Sequence, residues 1–128
     1  MSHFFNDGEP RPKALICDDD PMIRRLVREV AERCGYDILA GVDNAVDALS
    51  LVMEHRPEVL VLDLALPGMG GEEVIAAIQE LPGTTVVVHS AHDPRFAVKA
   101  GARTFVSKGN VALLEKTLLK VRGAEISA

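Results

Sequence analysis

An α/β fold, built on a parallel sheet with helices on both faces, is predicted by three observations. Apolar runs that read as strands alternate five times with amphipathic stretches that read as helices. The connections between them are a few residues long. Three of the runs, KALIC, VLVL and TTVVVH, read as continuous apolar runs rather than alternating ones. That is the pattern of strands covered on both sides, since a strand with one face in water alternates.

The elements follow in order. Strand one spans 13–17 and stops at Asp18-Asp19-Asp20. Asp20 followed by Pro21 fits a helix cap and first helical position. Ile23, Leu26, Val27, Val30 and Ala31 then recur at helical spacing, and Gly35 ends the helix as its C′ residue. Residues 36–40 form a weaker second strand. Asn44 caps a second helix, whose Val46, Leu49, Val52 and Met53 make the expected apolar stripe, and Pro57 closes it. Strand three covers 59–62 and stops at Asp63. Residues 67–71 are a loop. A third helix over 72–80 turns Val74, Ala77 and Ile78 inward. Strand four covers 84–89 and ends at Ser90. A fourth helix runs from Asp93 only to about Ala100. Strand five covers 103–107 and ends at Lys108. Asn110 caps a last helix with Val111, Leu114, Leu118 and Val121 on one face.

Composition narrows the function classes. The 128 residues match one domain, and 48% apolar residues suffice for a core. Fourteen Lys+Arg against 19 Asp+Glu give a net charge of −5. An acidic domain lacks the clustered Lys and Arg that phosphate contacts need, so direct nucleic-acid binding is not expected. With four Phe, one Tyr and no Trp, a base-stacking platform is not expected either. No apolar run approaches the roughly 18 residues of a membrane span. Residues 1–12 carry Asp7 and Glu9 and no apolar core of a signal peptide, and read as a flexible tail. The domain is expected over 13–122, with a second tail over 123–128. Cys17 and Cys34 read as buried free thiols of a cytoplasmic protein.

A parallel α/β sheet binds ligands beyond the carboxyl ends of its strands. Asp18, Asp19 and Asp20 follow strand one, Asp63 strand three, Ser90 strand four and Lys108 strand five. Each has an ordinary explanation on its own. Asp20 is a cap, Asp63 starts an Asx turn, Ser90 is a loop hydroxyl and Lys108 a solvated charge. Their joint placement at one edge is not explained that way, and Asp18 and Asp19 repel each other unless a cation lies between them. Carboxylates without His or Cys favour a hard cation: Mg²⁺, Mn²⁺ or Ca²⁺. Mg²⁺ takes one or two carboxylates and completes its shell with water and phosphate oxygens. Lys108 and Ser90 suit those oxygens as a point charge and a donor. One Asp can then serve as nucleophile toward phosphorus.

These landmarks resemble the receiver domain of two-component response regulators from about Ala14 to Val121. They are the acidic pair in LICDDDPMIRR, the Asp in VLVLDLALPGMGG, the hydroxyl and small residue in VVVHSA, and the Lys in AGARTFVSKG. The resemblance implies a flavodoxin-like (βα)5 fold with strand order 2-1-3-4-5. It implies phosphoryl transfer to Asp63 from a phosphohistidine on a sensor histidine kinase or histidine phosphotransfer protein. Asp19, Asp63 and the carbonyl of Ala65 would ligate Mg²⁺ (or Mn²⁺), and Asp18 would act mainly through a bound water. Lys108 would pair with phosphoryl oxygens, Ser90 would donate to them, and Phe105 would be the switch aromatic, unless it is ordinary core. Output would pass to an unidentified downstream protein, with no turnover enzymology.

The sequence departs from the family pattern in places. The loop after Asp63 reads Leu66-Pro67 and Gly70-Gly71. Ala65 and His92 occupy the two positions that modulate phosphoryl lifetime, and Gly109 stands where Pro is common. The segment between Ser90 and Lys108 is short by roughly one helical turn, so a shortened fourth helix is expected. Three alternatives stay open: a Mg²⁺-dependent phosphohydrolase with an Asp nucleophile, an interaction module that is never phosphorylated, and a receiver fragment of a longer DNA-binding regulator.

Overall fold

A computed structural model of the chain describes residues 10–66, 71–79, 83–91, 95 and 104–123. The described elements are β1 (Lys13–Cys17), α1 (Pro21–Arg33), β2 (Asp37–Val42), α2 (Ala45–His55), β3 (Val59–Leu62), α3 (Gly71–Gln79), β4 (Thr85–Ser90), β5 (Phe105–Ser107) and the C-terminal helix α4 (Val111–Val121). The five strands form one sheet in the order β2-β1-β3-β4-β5, and every neighbouring pair is parallel.

The apolar strands feed two cores because successive side chains leave a strand on opposite faces. Ala14, Ile16, Val59, Val61, Val87 and Val106 meet Val27, Val30 and Ala31 of α1 and Leu114 and Leu118 of α4 on one face. Leu15, Cys17, Leu60, Leu62 and Val88 meet Ala45, Ala48 and Val52 of α2 and Val74, Ile75 and Ile78 of α3 on the other. Fully burying one such aliphatic side chain contributes about 1.5–3 kcal/mol, so interrupting any of these runs with a polar residue is costly. Tyr36 locks the first layer: it is buried and its hydroxyl donates to the Leu118 carbonyl at 2.7 Å. Burial raises the Tyr36 pKa above its usual 10.0.

The expected caps are present. Asp20 accepts from Met22 N, Asn44 from Asp47 N and Asn110 from Leu113 N. Gly35 follows the Cys34 cap with φ 92° and ends α1 as expected. Gly109 carries φ 93°, a conformation that Pro, fixed near −65°, does not adopt. The turn after Lys108 is therefore built on glycine, as the sequence has it. Both cysteines are buried and free. Burial pushes the Cys17 thiol up to about 12 and the Cys34 thiol up to about 11.

Several expectations are corrected. β2 begins at Asp37 and runs to Val42, because Tyr36 turns into the core before the strand pairs. β5 begins at Phe105 rather than Arg103. α2 ends at His55, with Arg56 left-handed at φ 47°, one residue before Pro57. Its buried stripe is Ala45, Ala48 and Val52, while Val46 and Met53 are 63% and 62% exposed. Val52 is buried and Leu49 packs against the core as expected, but Ala45 and Ala48 take the places expected of Val46 and Met53. The small alanines let the helix approach a sheet face already filled by Leu15, Leu60 and Leu62. In α3, Ile75 is buried and Ala77 exposed, for the same reason in reverse: the larger side chain takes the contact. Apart from Arg95, the expected fourth helix over 93–100 lies outside the described residues, as do His92, residues 67–70 of the expected loop, and residues 1–9 and 124–128 of the two tails.

Candidate functional site

Parallel register brings the strand ends together. Cys17 pairs with Leu62, so Asp18 and Asp63 are each one step beyond a matched pair on adjacent strands. The Asp63 amide donates to the Cys17 carbonyl at 2.9 Å, which carries the ladder past the strand ends. On the other side Ser90 pairs with Ser107, and the Lys108 amide donates to the Ser90 carbonyl at 3.1 Å.

Asp63 is 3% exposed, and both of its carboxylate oxygens accept hydrogen bonds. Its Oδ1 accepts from the Ala65 amide at 3.1 Å and from Ser90 Oγ at 3.2 Å. Its Oδ2 accepts from Lys108 Nζ at 3.2 Å. The Asx turn expected of Asp63 is thus real and coexists with the cluster. Asp18 is 2% exposed, and its Oδ1 accepts from the Asp20 amide at 2.9 Å. Its Oδ2 lies 3.0 Å from Lys108 Nζ, close enough to pair by charge, yet has no hydrogen-bond partner of acceptable angle. Lys108 is correspondingly not the solvated charge it would be alone: its side chain is 21% exposed. Burial works against the ammonium, and the Asp18 and Asp63 carboxylates outweigh it, so its pKa is raised above 10.5.

One carboxylate oxygen each from Asp18, Asp19 and Asp63 lies within 4.8 Å of the others. Such a set suits a hard cation. The buried Asp18 oxygen without a hydrogen bond is the kind of atom a cation satisfies. The residues therefore fit Mg²⁺ on chemistry and on geometry. Phe105 is half-buried, pairs with Val88 across β4 and β5, and packs on the α2–α3 side of the sheet. That placement fits the ordinary core position weighed against the switch role for Phe105.

Two residues near the site were not singled out from the sequence. His89 is buried on β4 immediately before Ser90. Burial and then the Lys108 charge lower its pKa, and Asp18 and Asp63 oppose them. A polar residue inside a β-branched run was the available signal. Arg24 donates from Nη1 to the Asp18 carbonyl at 2.7 Å. No sequence signal distinguishes it from Arg25 and Arg28 on the same helix.

The structure is thus a doubly wound α/β sheet with an acidic cluster facing a lysine and a hydroxyl at its carboxyl edge. The response regulator receiver domain family matches residues 14–118, and the chain belongs to it. BvgA of Bordetella pertussis, named as a positive transcription regulator of virulence factors, is 37% identical over 101 residues, covering 75% of this chain and 48% of that protein. Chemotaxis protein CheY of Thermotoga maritima is 28% identical over 101 residues, covering 75% of this chain and 84% of that protein. Among solved structures, the signal receiver domain of NarL from Mycobacterium tuberculosis superposes with a TM-score of 0.80 at 28% identity, over 90% of this chain and 99% of that one. CheY4 of Vibrio cholerae gives 0.76 at 25%, over 88% and 99%. The chain spans about half the length of the first curated relatives it matches. No helix among the described residues is long and apolar enough to cross a membrane.

Proposed function

We propose that this receiver domain is a phosphorylation-dependent switch that takes a phosphoryl group onto Asp63 from a phosphohistidine. The donor protein is a sensor histidine kinase or a histidine phosphotransfer protein, acting in the cytoplasm. The observation that carries the reading is the occupancy around Asp63. A buried carboxylate is gripped at both oxygens by Ser90, Ala65 and Lys108, all within 3.2 Å.

An Asp63 oxygen attacks phosphorus, the P–N bond breaks, and the imidazole nitrogen leaves with its electron pair. Phosphoryl transfer asks mainly for positioning and charge neutralisation. The Ala65 amide and the Ser90 hydroxyl hold the carboxylate oriented. Once the phosphoryl group is on Asp63, Lys108 and Ser90 are placed to serve its oxygens instead of the bare carboxylate. Asp18, Asp19 and Asp63, with the Ala65 carbonyl, would hold Mg²⁺ or Mn²⁺. When bound, the ion supplies positive charge between the carboxylates and the transferred group. Withdrawing Ser90 and Lys108 from Asp63 toward new oxygens pulls on β4 and β5, where Phe105 sits. A ring packed at that edge is placed to register the change for a downstream protein.

The test is phosphorylation by acetyl phosphate with Mg²⁺, read by intact mass. One added phosphoryl group is expected in the parent, with none in Asp63→Asn or after chelation of the metal. Labelling of Asp63→Asn at the parental level refutes the assignment. A second reading is favoured by relatives named as transcriptional regulators that are about twice the matched length. In it, the same switch governs a DNA-binding domain, and the full reading frame decides between the two.

A further inference from the structure

Asp18 and Asp63 are held by burial and by hydrogen bonds to their carboxylates, but Asp19 is exposed. The direction of its side chain is therefore set by the backbone on which it stands. Arg24 grips that backbone. Its Nη1 donates to the Asp18 carbonyl at 2.7 Å, a short charge-assisted bond. The Asp18 carbonyl and the Asp19 nitrogen belong to one planar peptide, so fixing the oxygen fixes where the Asp19 Cα begins. The Asp18 amide is tied as well, donating to the Val42 carbonyl of β2 at 3.0 Å.

The route that Arg24 takes also has a visible cause. Arg24 lines a cleft of about 600 Å³ together with Ile16, Pro21, Ile38 and Gly41. A Cβ built on Gly41 would stand 3.5 Å from Arg24 Cδ and 4.0 Å from Nε. A methyl there is in ordinary contact, and a branched side chain would extend into the space of the stem. Gly41 is thus the part of β2 over which the arginine passes to reach the loop.

We propose that Arg24, seated against Gly41, is a positioning residue for the metal-binding loop: it fixes the Asp18–Asp19 peptide and so aims the Asp19 carboxylate. The inference rests on the assignment of Mg²⁺ to Asp18, Asp19 and Asp63. Mg²⁺ demands near-ideal octahedral geometry at short distances, so a loosened ligand lowers affinity even when no ligand is removed.

The experiment measures Mg²⁺ affinity by titration calorimetry for the parent, Arg24→Met, Arg24→Lys, Gly41→Ala and Gly41→Val. Amide NMR signals of Asp19 and Asp20 are recorded without metal alongside. Loss of one hydrogen bond to a charged group predicts roughly tenfold weaker binding in Arg24→Met. Gly41→Val should weaken binding in the same direction. Gly41→Ala should bind as the parent does, and Arg24→Lys should recover part of the loss. The Asp19 and Asp20 amide signals should move in Arg24→Met and in Gly41→Val before metal is added. Parental affinity together with unmoved amides in both variants overturns the role, including the case in which Arg24 only braces α1 against β2. A parent that binds no Mg²⁺ removes the metal assignment itself. The metal-free amide signals then still decide whether Arg24 orders the loop.

Discussion

Lys108→Met puts the electrostatics of the site to the sharpest test. The substitution keeps most of the side-chain volume and removes the ammonium that stands 3.0 Å from Asp18 and 3.2 Å from Asp63. With an effective dielectric constant near 20, each contact is worth about 5 kcal/mol of gross attraction. Much of that is offset by the cost of removing the ammonium from water. What the substitution leaves is two buried carboxylates facing each other without the ammonium that pairs with both. Removing one partner of a buried pair costs about 3–5 kcal/mol, and the partial exposure of Lys108 places the expectation near the lower end, about 3 kcal/mol. The assay is denaturant unfolding with and without saturating Mg²⁺. In the absence of metal the variant should be less stable by that amount. In its presence most of the loss should return, because a cation that binds only the folded form adds its own linkage energy. Mg²⁺ should also bind the variant more tightly than the parent, since it no longer shares the two carboxylates with an ammonium. A variant as stable as the parent without metal, or an equal deficit with and without metal, refutes this account of the site.

Two further outcomes probe the fold. Ala48→Leu should destabilise the domain by about 1–3 kcal/mol through overpacking on the α2–α3 side, while Met53→Gln on the same helix should change stability by less than about 0.5 kcal/mol. Urea unfolding of both variants checks this, and the reverse ranking would restore the stripe read from the sequence. Burial pushes the Cys34 thiol up to about 11 from the 9.0 of an ordinary thiol, so the unfolded chain ionises first as pH rises. Its contribution is fully present below pH 9.0 and is lost on rising through 11, amounting to about 3 kcal/mol by linkage. Cys34→Ala should flatten stability measured across that range, and an unchanged slope would assign the loss elsewhere.

The degree to which the sequence was legible follows from how local each signal is. Asp20-Pro21, Asn44 and Asn110 act through hydrogen bonds to amides two or three residues away, and all three cap as read. β1 and β3 have the bounds that their apolar runs give, because a strand buried on both faces admits no polar residue inside it. Helix orientation was less legible. Val46 and Met53 are more hydrophobic than Ala45 and Ala48, yet the alanines face the sheet, since the choice depends on the volume already occupied by Leu15, Leu60 and Leu62. The start of β2 moved for a similar reason: Tyr36 is drawn to the Leu118 carbonyl, a partner 82 residues away.

The acidic cluster divides in the same manner. That Asp18, Asp63, Ser90 and Lys108 share one edge follows from the sequence alone, because parallel strands all end on the same side. That Lys108 reaches both carboxylates, that Ser90 and Ala65 hold one oxygen of Asp63 between them, and that Asp18 keeps an oxygen without a hydrogen bond were decided by register and packing. Arg24 belongs wholly to this second kind. Arg25 and Arg28 on the same helix have identical chemistry, yet it is Arg24, whose stem passes close to Gly41, that donates to the Asp18 carbonyl. Strand composition determined which groups meet; side-chain reach across neighbouring elements, which no local pattern encodes, determined what they do to one another.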